Sequence, residues 1–263
     1  PVELRPNVFY AAPMNPLIAD IQMPLWLALI AGGLLAALVA FLIGTPVLRL
    51  RGDYLAVATL GFSEIIRIWI TNAQSITNGA LGIKDIPPLN DVRYIFLATA
   101  VTFIFIALLI NSSYGRAFKA IREDEIAAEA MGVSLFWHKN LAFMISAFFA
   151  GVAGALYATY FPRIKPDTFG FMKSVDILVI VVFGGLGSIT GSILGAIVLG
   201  LISMFLSSYT ELRMVLYALL LVIIMIFRPQ GLMGSKEFSI AMFKRAGDRI
   251  SGLFRKKEKE EKV

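Results

Sequence analysis

Few side chains in this 263-residue sequence are suited to covalent or metal chemistry. The chain contains no cysteine and a single histidine, His138, which excludes thiol catalysis, disulfide bonds and zinc sites built from cysteine and histidine. The phosphate-binding pattern G-x-x-x-x-G-K-[ST] does not occur either. We therefore expect no catalytic residue, no resident metal and no cofactor on this chain, and a function that is not enzymatic.

Acidic residues are concentrated in one short segment whose spacing favours a helix. Glu123, Asp124 and Glu125 precede an alanine-rich run that ends at Gly132. Acids at the start of a helix interact favourably with its dipole, and glycine commonly terminates a helix. The product would be a thin amphipathic helix, which is suited to a groove on a partner protein because small side chains permit close approach. A solvated loop is the alternative interpretation of such a run of charge.

A second set of polar residues interrupts the apolar segment 54–70. Its members are Thr59, Ser63, Glu64 and Arg67. Glu64 and Arg67 are three residues apart, so they share a helical face and are predicted to pair. Charge inside a membrane is costly unless it is compensated, which makes these four residues candidates for a translocation path. A purely structural ion pair near the external interface is the alternative.

The composition indicates that lipid surrounds the elements that carry these residues. Hydrophobic residues make up 58% of the chain and charged residues 16%, whereas soluble domains have roughly 25% charged residues. Apolar segments near the ~20 residues needed to cross a bilayer recur along the sequence. We predict an all-α, polytopic transmembrane helix bundle of about seven spans or half-spans. The segments are 23–48, 54–70, 94–110, 140–161, two within 175–205, and 214–227.

Small residues and glycines mark where these helices should meet or break. Two segments carry small residues four apart, which lets helices approach closely in lipid. They are Gly32, Ala36 and Ala40 in the first and Ala147, Gly151 and Ala155 in the fourth. The run 175–205 is expected to break at Gly184, Gly185, Gly187 and Gly191 into a short helix, a turn and a longer helix. Asp176 is expected to cap the short helix.

The distribution of lysine and arginine predicts the orientation, because cytoplasmic loops retain positive charge. One side of the predicted spans collects sixteen basic residues and the other side seven. The loop 111–139 and the C-terminus are therefore expected to be cytoplasmic and Pro1 external. Residues 1–232 form the predicted transmembrane domain, and residues 233–263 a basic cytoplasmic tail suited to contact membrane lipid. This topology explains the net charge of +6 without nucleic-acid binding.

Several motifs resemble one family. Ala127 and Ala128, followed by Gly132, are similar to the EAA loop with which ABC importer permeases dock on their ATPase. Ile126 occupies the motif's glutamate position, and Glu125 and Glu129 lie beside it. Other stretches resemble the branch of permeases for branched-chain amino acids, so that the resemblance covers residues 17–232. They are residues 48–56, 59–65, 184–191 and 228–232.

The resemblance implies a membrane-spanning permease subunit of an ATP-driven importer in a bacterial or archaeal plasma (inner) membrane. It would translocate branched-chain or other small amino acids delivered by an external binding protein, beside a second homologous permease subunit. Cytoplasmic ATPase subunits would bind ATP and Mg and dock on the loop 111–139. The docking residues implied are Arg116, Arg122, Glu123, Asp124, Glu125, Ala127, Ala128, Glu129 and Gly132.

Three alternatives stay open at this point. Related permeases carry urea or short amides, and a secondary transporter or channel with its own coupling-ion site would need no ATPase. A non-transporting membrane scaffold would show no substrate-dependent activity. The glycine-rich pair of helices that the family usually has upstream is not found in this sequence. We therefore expect that earlier spans precede Pro1 in the whole protein.

Overall fold

The computed structural model describes residues 24–50, 52–84, 86, 91–161 and 163–205. Helices dominate these residues. They are α1 (Leu25–Val47), α2 (Asp53–Asn72), α3 (Gln74–Thr77), α4 (Arg93–Asn111), α5 (Ser113–Glu123), α6 (Glu125–Ala130), α7 (Leu135–Tyr160), α8 (Phe171–Gly184) and α9 (Ile189–Phe205). Short 3-10 helices cover Gly79–Leu81 and Pro166–Phe169, and strands β1 (Ile83–Lys84) and β2 (Arg163–Ile164) form one antiparallel pair.

Four described helices, α1, α2, α4 and α7, are long and apolar enough to cross a bilayer, and α8 with α9 makes a fifth span if the pair is one broken span. The 19 residues of α4 extend over about 28 Å, close to the ~30 Å hydrocarbon layer. The prediction of an all-α, polytopic membrane protein is confirmed. The predicted seventh segment, 214–227, the boundary at residue 232 and the tail 233–263 lie outside the described residues.

The helices expose large apolar side chains, as proteins in lipid do. Leu35 of α1 is 66% exposed, Phe96 of α4 is 72% exposed and Leu108 of α4 is 67% exposed. Each Å² of such surface costs roughly 25 cal/mol in water. A lipid environment removes that cost, which explains how the helices can leave these residues uncovered.

The close contact between α1 and the antiparallel α7 depends on small residues of both helices. A Cβ atom on Gly151 would lie 2.6 Å from the carbonyl oxygen of Gly32 and 2.7 Å from Cβ of Ala36. One turn along α7, Ala155 Cβ would lie 3.6 Å from a Cβ on Gly32. The predicted close approach of small residues is confirmed, and the two predicted small-residue faces are partners of each other.

The helix ends in Pro1–Phe171, the first of two compact units, fall on two sides. On one side, the Arg49 guanidinium lies 5.2 Å from the ring centroid of Phe136, which joins the end of α1 to the start of α7. On the other side, the rings of Trp26 and Tyr94 are 5.6 Å apart, and β1 pairs with β2. These contacts put on each side loops that the count of lysine and arginine residues also put there. The assignment of the first side to the cytoplasm stays a prediction.

The second unit, Met172–Val263, is described from residue 172 to residue 205. Its chain bends by 117° between α8 and α9. A Cβ on Gly184 would lie 2.3 Å from the carbonyl oxygen of Gly191, so the two helices meet backbone to backbone. The predicted short helix, turn and longer helix are confirmed, although Gly191 lies inside α9. The predicted capping by Asp176 is wrong, because α8 begins at Phe171 and Asp176 lies within it.

Replacing Gly151 with leucine should destabilise the protein, since the new side chain has no room against Gly32 and Ala36. Overpacking of this kind costs about 1–3 kcal/mol. We expect a lower thermal unfolding midpoint in detergent. Gly154→Leu is the matched control on the same helix, because a Cβ there meets nothing within 4 Å. Equal midpoints for the two variants would contradict the assigned contact.

Candidate functional site

The acidic segment folds as two short helices joined at a sharp bend, which we call the elbow (residues 113–132). The Ser112 hydroxyl oxygen accepts a hydrogen bond from the Gly115 N–H at 3.3 Å and caps α5. Asp124 is extended, with φ −155° and ψ 112°, and so ends α5 and begins α6. Its Oδ1 accepts from the backbone N–H groups of Ile126 at 2.8 Å and Ala127 at 3.1 Å. One carboxylate thus creates both the bend and the new helix.

Gly132 terminates α6 in the way that its sequence position predicts. Its φ is +86°, a region that glycine adopts without steric cost. The Gly132 N–H donates to the Glu129 carbonyl at 2.9 Å, and the Val133 N–H donates to the Ala128 carbonyl at 3.0 Å. These two bonds form a Schellman motif, which satisfies carbonyl groups at the helix end. The six-residue helix is therefore capped at both ends.

The exposed surface of the elbow combines acids with large apolar side chains. Ile126 is 80% exposed and Met131 is 85% exposed. Neither residue is among the predicted docking residues; their signal was the presence of large apolar side chains in a polar segment. Ala128 is only 4% exposed and faces its own chain. The remaining predicted docking residues on α6 and its bend are exposed: Glu123, Asp124, Glu125, Ala127 and Glu129.

The elbow is held against the first turns of α7 by one ion pair and a set of rings. Lys139 Nζ lies 2.7 Å from Glu125 Oε1. The His138 ring lies 6.2 Å from that of Tyr114 and 6.1 Å from that of Phe118. The predicted fourth span starts at residue 140, whereas α7 begins at Leu135, so its first turn belongs to the predicted loop. Displacement of the elbow would therefore act directly on a membrane-spanning helix.

Arg116 and Arg122, which were also predicted to dock, make contacts inside the elbow. Arg116 Nη2 donates to the Ser113 hydroxyl at 2.8 Å. Arg122 Nη2 donates to Glu123 Oε1 at 2.5 Å. Both arginines lie on exposed faces of α5, where ion pairs between neighbours contribute little stability.

Two of the predicted polar residues of α2, Glu64 and Arg67, lie towards the other side of the same unit. Arg67 Nε donates to both carboxylate oxygens of Glu64 at 3.0 Å, so the predicted pair is confirmed. Arg67 Nη1 also donates to Asp167 Oδ1 at 2.9 Å, an ion pair that sequence spacing did not indicate. The Thr59 and Ser63 hydroxyls donate to carbonyl oxygens of α2 itself.

A cavity of about 260 Å³ adjoins this cluster. Its apolar wall comes from α2, from the loop that follows it and from the segment after α7. These residues are Ile66, Ile70, Ile83, Ile164 and Phe169. Ser63, Arg67, Thr77 and Lys165 add polar groups, whereas Thr59 and Glu64 do not line the cavity. Most of the candidate residues therefore lie at two places, the elbow and the surroundings of this cavity, at different ends of the helices.

Among the described residues, no group of three or more histidine or acidic side chains could hold a metal ion. The fold and the two sites define a multi-pass membrane protein with a capped helix displayed at one side. The chain belongs to the family described as branched-chain amino acid transport system / permease component, which matches residues 8–226.

Curated relatives carry the same description. The chain is 39% identical, over 79% of its length, to the high-affinity branched-chain amino acid transport system permease protein LivM of Escherichia coli (strain K12), and it spans 57% of that relative. It is 35% identical to LivH of the same organism over 54% of this chain and 46% of LivH. It is 26% identical to a probable LivM of Methanocaldococcus jannaschii over 85% of this chain and 73% of that protein. No solved structure matches significantly.

Replacing Asp124 with alanine should loosen α6, because two backbone N–H groups lose their acceptor. Loss of such a cap costs about 1 kcal/mol, so amide exchange at Ile126 and Ala127 should accelerate about fivefold. Hydrogen-exchange mass spectrometry of the elbow measures this. Asp124→Asn keeps an acceptor at the cap and is the control. Equal exchange in the alanine and asparagine variants would rule out the assigned cap.

Proposed function

We propose that this chain is a permease subunit of an ATP-driven ABC importer for branched-chain amino acids. The observation that carries the proposal is the elbow: on a chain of this family, a helix capped by Asp124 and Gly132 displays Ile126 and Met131. Its acids flank these apolar side chains. We infer that the elbow docks on an ATPase subunit in a groove with an apolar floor and a basic rim.

The proposed mechanism is mechanical. ATP and Mg bind to the partner ATPase subunits, and their closure moves the docked elbow. The ion pair of Lys139 with Glu125 and the rings around His138 pass that motion to α7. The contact of α7 with α1 then passes it to a second span. This chain contributes no catalytic residue, metal or cofactor; it supplies two alternative arrangements of helices, which ATP binding and hydrolysis interconvert.

The proposed assembly follows from the family and from the charge count. A second, homologous permease subunit would complete the path, as the similarity to both LivM and LivH suggests. The elbow and the C-terminus face the cytoplasm, and an external binding protein delivers substrate to the opposite side. The membrane is the plasma (inner) membrane of a bacterium or archaeon. Thr59, Ser63, Glu64 and Arg67 lie along the translocation path in this proposal.

ATP-driven leucine uptake tests the function as a whole. The complex purified through this chain should contain an ATPase. With its binding protein present, it should accumulate leucine in proteoliposomes only when ATP is on the side that corresponds to the cytoplasm. Isoleucine and valine should compete with leucine, and urea should not. Uptake by the isolated chain on an ion gradient alone would instead indicate a secondary transporter.

Docking should depend on the two exposed apolar residues of the elbow. Burial of each such side chain contributes about 1.5–3 kcal/mol, so the double variant Ile126→Ser, Met131→Ser should lower the affinity for the ATPase at least about tenfold. Co-purification at decreasing protein concentration measures the loss. Val92→Ser replaces an apolar residue that is 55% exposed on the opposite side and should have no effect. Unchanged co-purification of the double variant would argue against docking through this surface.

Gly132→Val should uncouple ATP hydrolysis from uptake while the protein stays inserted. Valine is strained at a φ of +86°, so the end of α6 would change its path and the elbow would no longer transmit motion. Gly52→Val is a matched control, because Gly52 has a φ of +60° in another loop. ATPase activity and leucine uptake are measured on the same complexes. Normal coupled uptake by Gly132→Val would refute the proposed role.

A further inference from the structure

The cavity beside Arg67 combines a charged end with an apolar end. Four isoleucines and Phe169 form its apolar wall. At the charged end, Arg67 contacts Glu64 and Asp167, and Lys165 also lines the space. Glu64 and Asp167 do not line the cavity themselves but border this end through their contacts with Arg67. The formal charges of the two cations and the two carboxylates balance. A ligand that fits both ends carries a positive and a negative group close together and an apolar remainder.

Arg67 retains hydrogen-bonding capacity for such a ligand. A guanidinium has five N–H groups. The described contacts use the Nε–H and one N–H on each terminal nitrogen, which leaves one N–H on each of Nη1 and Nη2. The Arg67 side chain is 33% exposed, so solvent and solutes reach it. Arginine suits this role because its planar group can bind a carboxylate through two parallel hydrogen bonds.

We propose that this cavity binds the zwitterion of a small, branched apolar amino acid at the external end of the translocation path. The carboxylate lies against Arg67 and Lys165, the ammonium group against Asp167 and Glu64, and the side chain against the isoleucines. The volume, about 260 Å³, lies just below the usual ~300–1,000 Å³ of small-molecule pockets. This inference rests on the proposed function and adds to it a location and a recognition chemistry.

The same chemistry predicts which amino acids the cavity rejects. A lysine or aspartate ligand would place its second charge against the isoleucine side chains and Phe169, which cannot compensate the lost hydration. A carboxylate that binds the remaining N–H groups of Arg67 also lowers the net positive charge that attracts Asp167. Binding would therefore weaken the ion pair that joins α2 to the Pro166–Phe169 turn. The conformation of the loop after α7 would then depend on whether the cavity is occupied.

Thiol protection tests the site directly, since the chain has no cysteine of its own. Ser63→Cys places a single thiol on the cavity wall. Ser75→Cys makes the same replacement on α3, at an exposed position that does not line the cavity. The native complex, purified through this chain into lipid nanodiscs, is alkylated with N-ethylmaleimide in the presence of leucine, lysine or aspartate. ATP-driven leucine uptake is measured on the same variants.

Leucine at ten times its dissociation constant leaves about a tenth of the sites empty, so alkylation of Ser63→Cys should slow about tenfold. Lysine and aspartate should not protect this thiol. The thiol of Ser75→Cys should be alkylated at the same rate in the presence of each of the three amino acids. If Ser63→Cys prevents assembly, Thr77→Cys, elsewhere on the cavity lining, replaces it. If leucine does not protect the cavity thiols in a complex that still takes up leucine, the proposed binding site is wrong and the proposed function stands. Equal protection of Ser75→Cys would also overturn the proposed site. Absence of ATP-driven uptake by both the unsubstituted complex and Ser75→Cys would instead overturn the function.

Discussion

The contact between α1 and α7 is the constraint on which the described bundle depends. Lipid offers no hydrophobic gain for helix association, so helices are held by close packing. Gly151 lets α7 approach the backbone of α1 near Gly32. Towards the elbow the same interface buries Asn140, which is 1% exposed and whose side-chain nitrogen and oxygen have no hydrogen-bond partner in the described part of the chain. An unpaired buried amide costs about 1–3 kcal/mol.

Helix α7 also connects the two sites. Its first turns carry His138 and Lys139, which contact the elbow, and the chain beyond its last turn leads to Asp167, which binds Arg67. The helix has 26 residues and therefore extends over about 39 Å. A continuous helix of this length moves largely as one body. The proposed ATPase surface and the proposed amino-acid cavity thus lie at the two ends of one rigid element, which suits a protein that converts motion on one side into altered access on the other.

The candidate sites were predictable to different degrees. The end of α6 at Gly132 followed from the sequence, because capping is a local property of the chain. Which of the three acids caps its start did not. The pairing of Glu64 with Arg67 followed from their spacing on one helix. The ion pair of Arg67 with Asp167 did not, since the two residues are 100 positions apart and only the path of the chain after α7 brings them together. For the same reason no pattern in the sequence indicated the cavity that Ile164 and Phe169 form with α2.

The sequence by itself determined the class of fold, the positions of the described spans and the family, because hydrophobic length, charge distribution and short motifs are properties of consecutive residues. It also marked Gly32 and Gly151 as positions for close approach. Only the tertiary structure decided that these two faces meet each other, that Ala128 is covered while Ile126 and Met131 are exposed, and that Asp176 lies within a helix. The first two of these outcomes depend on which distant residues pack together. Packing between distant residues is set by the whole chain rather than by any local segment.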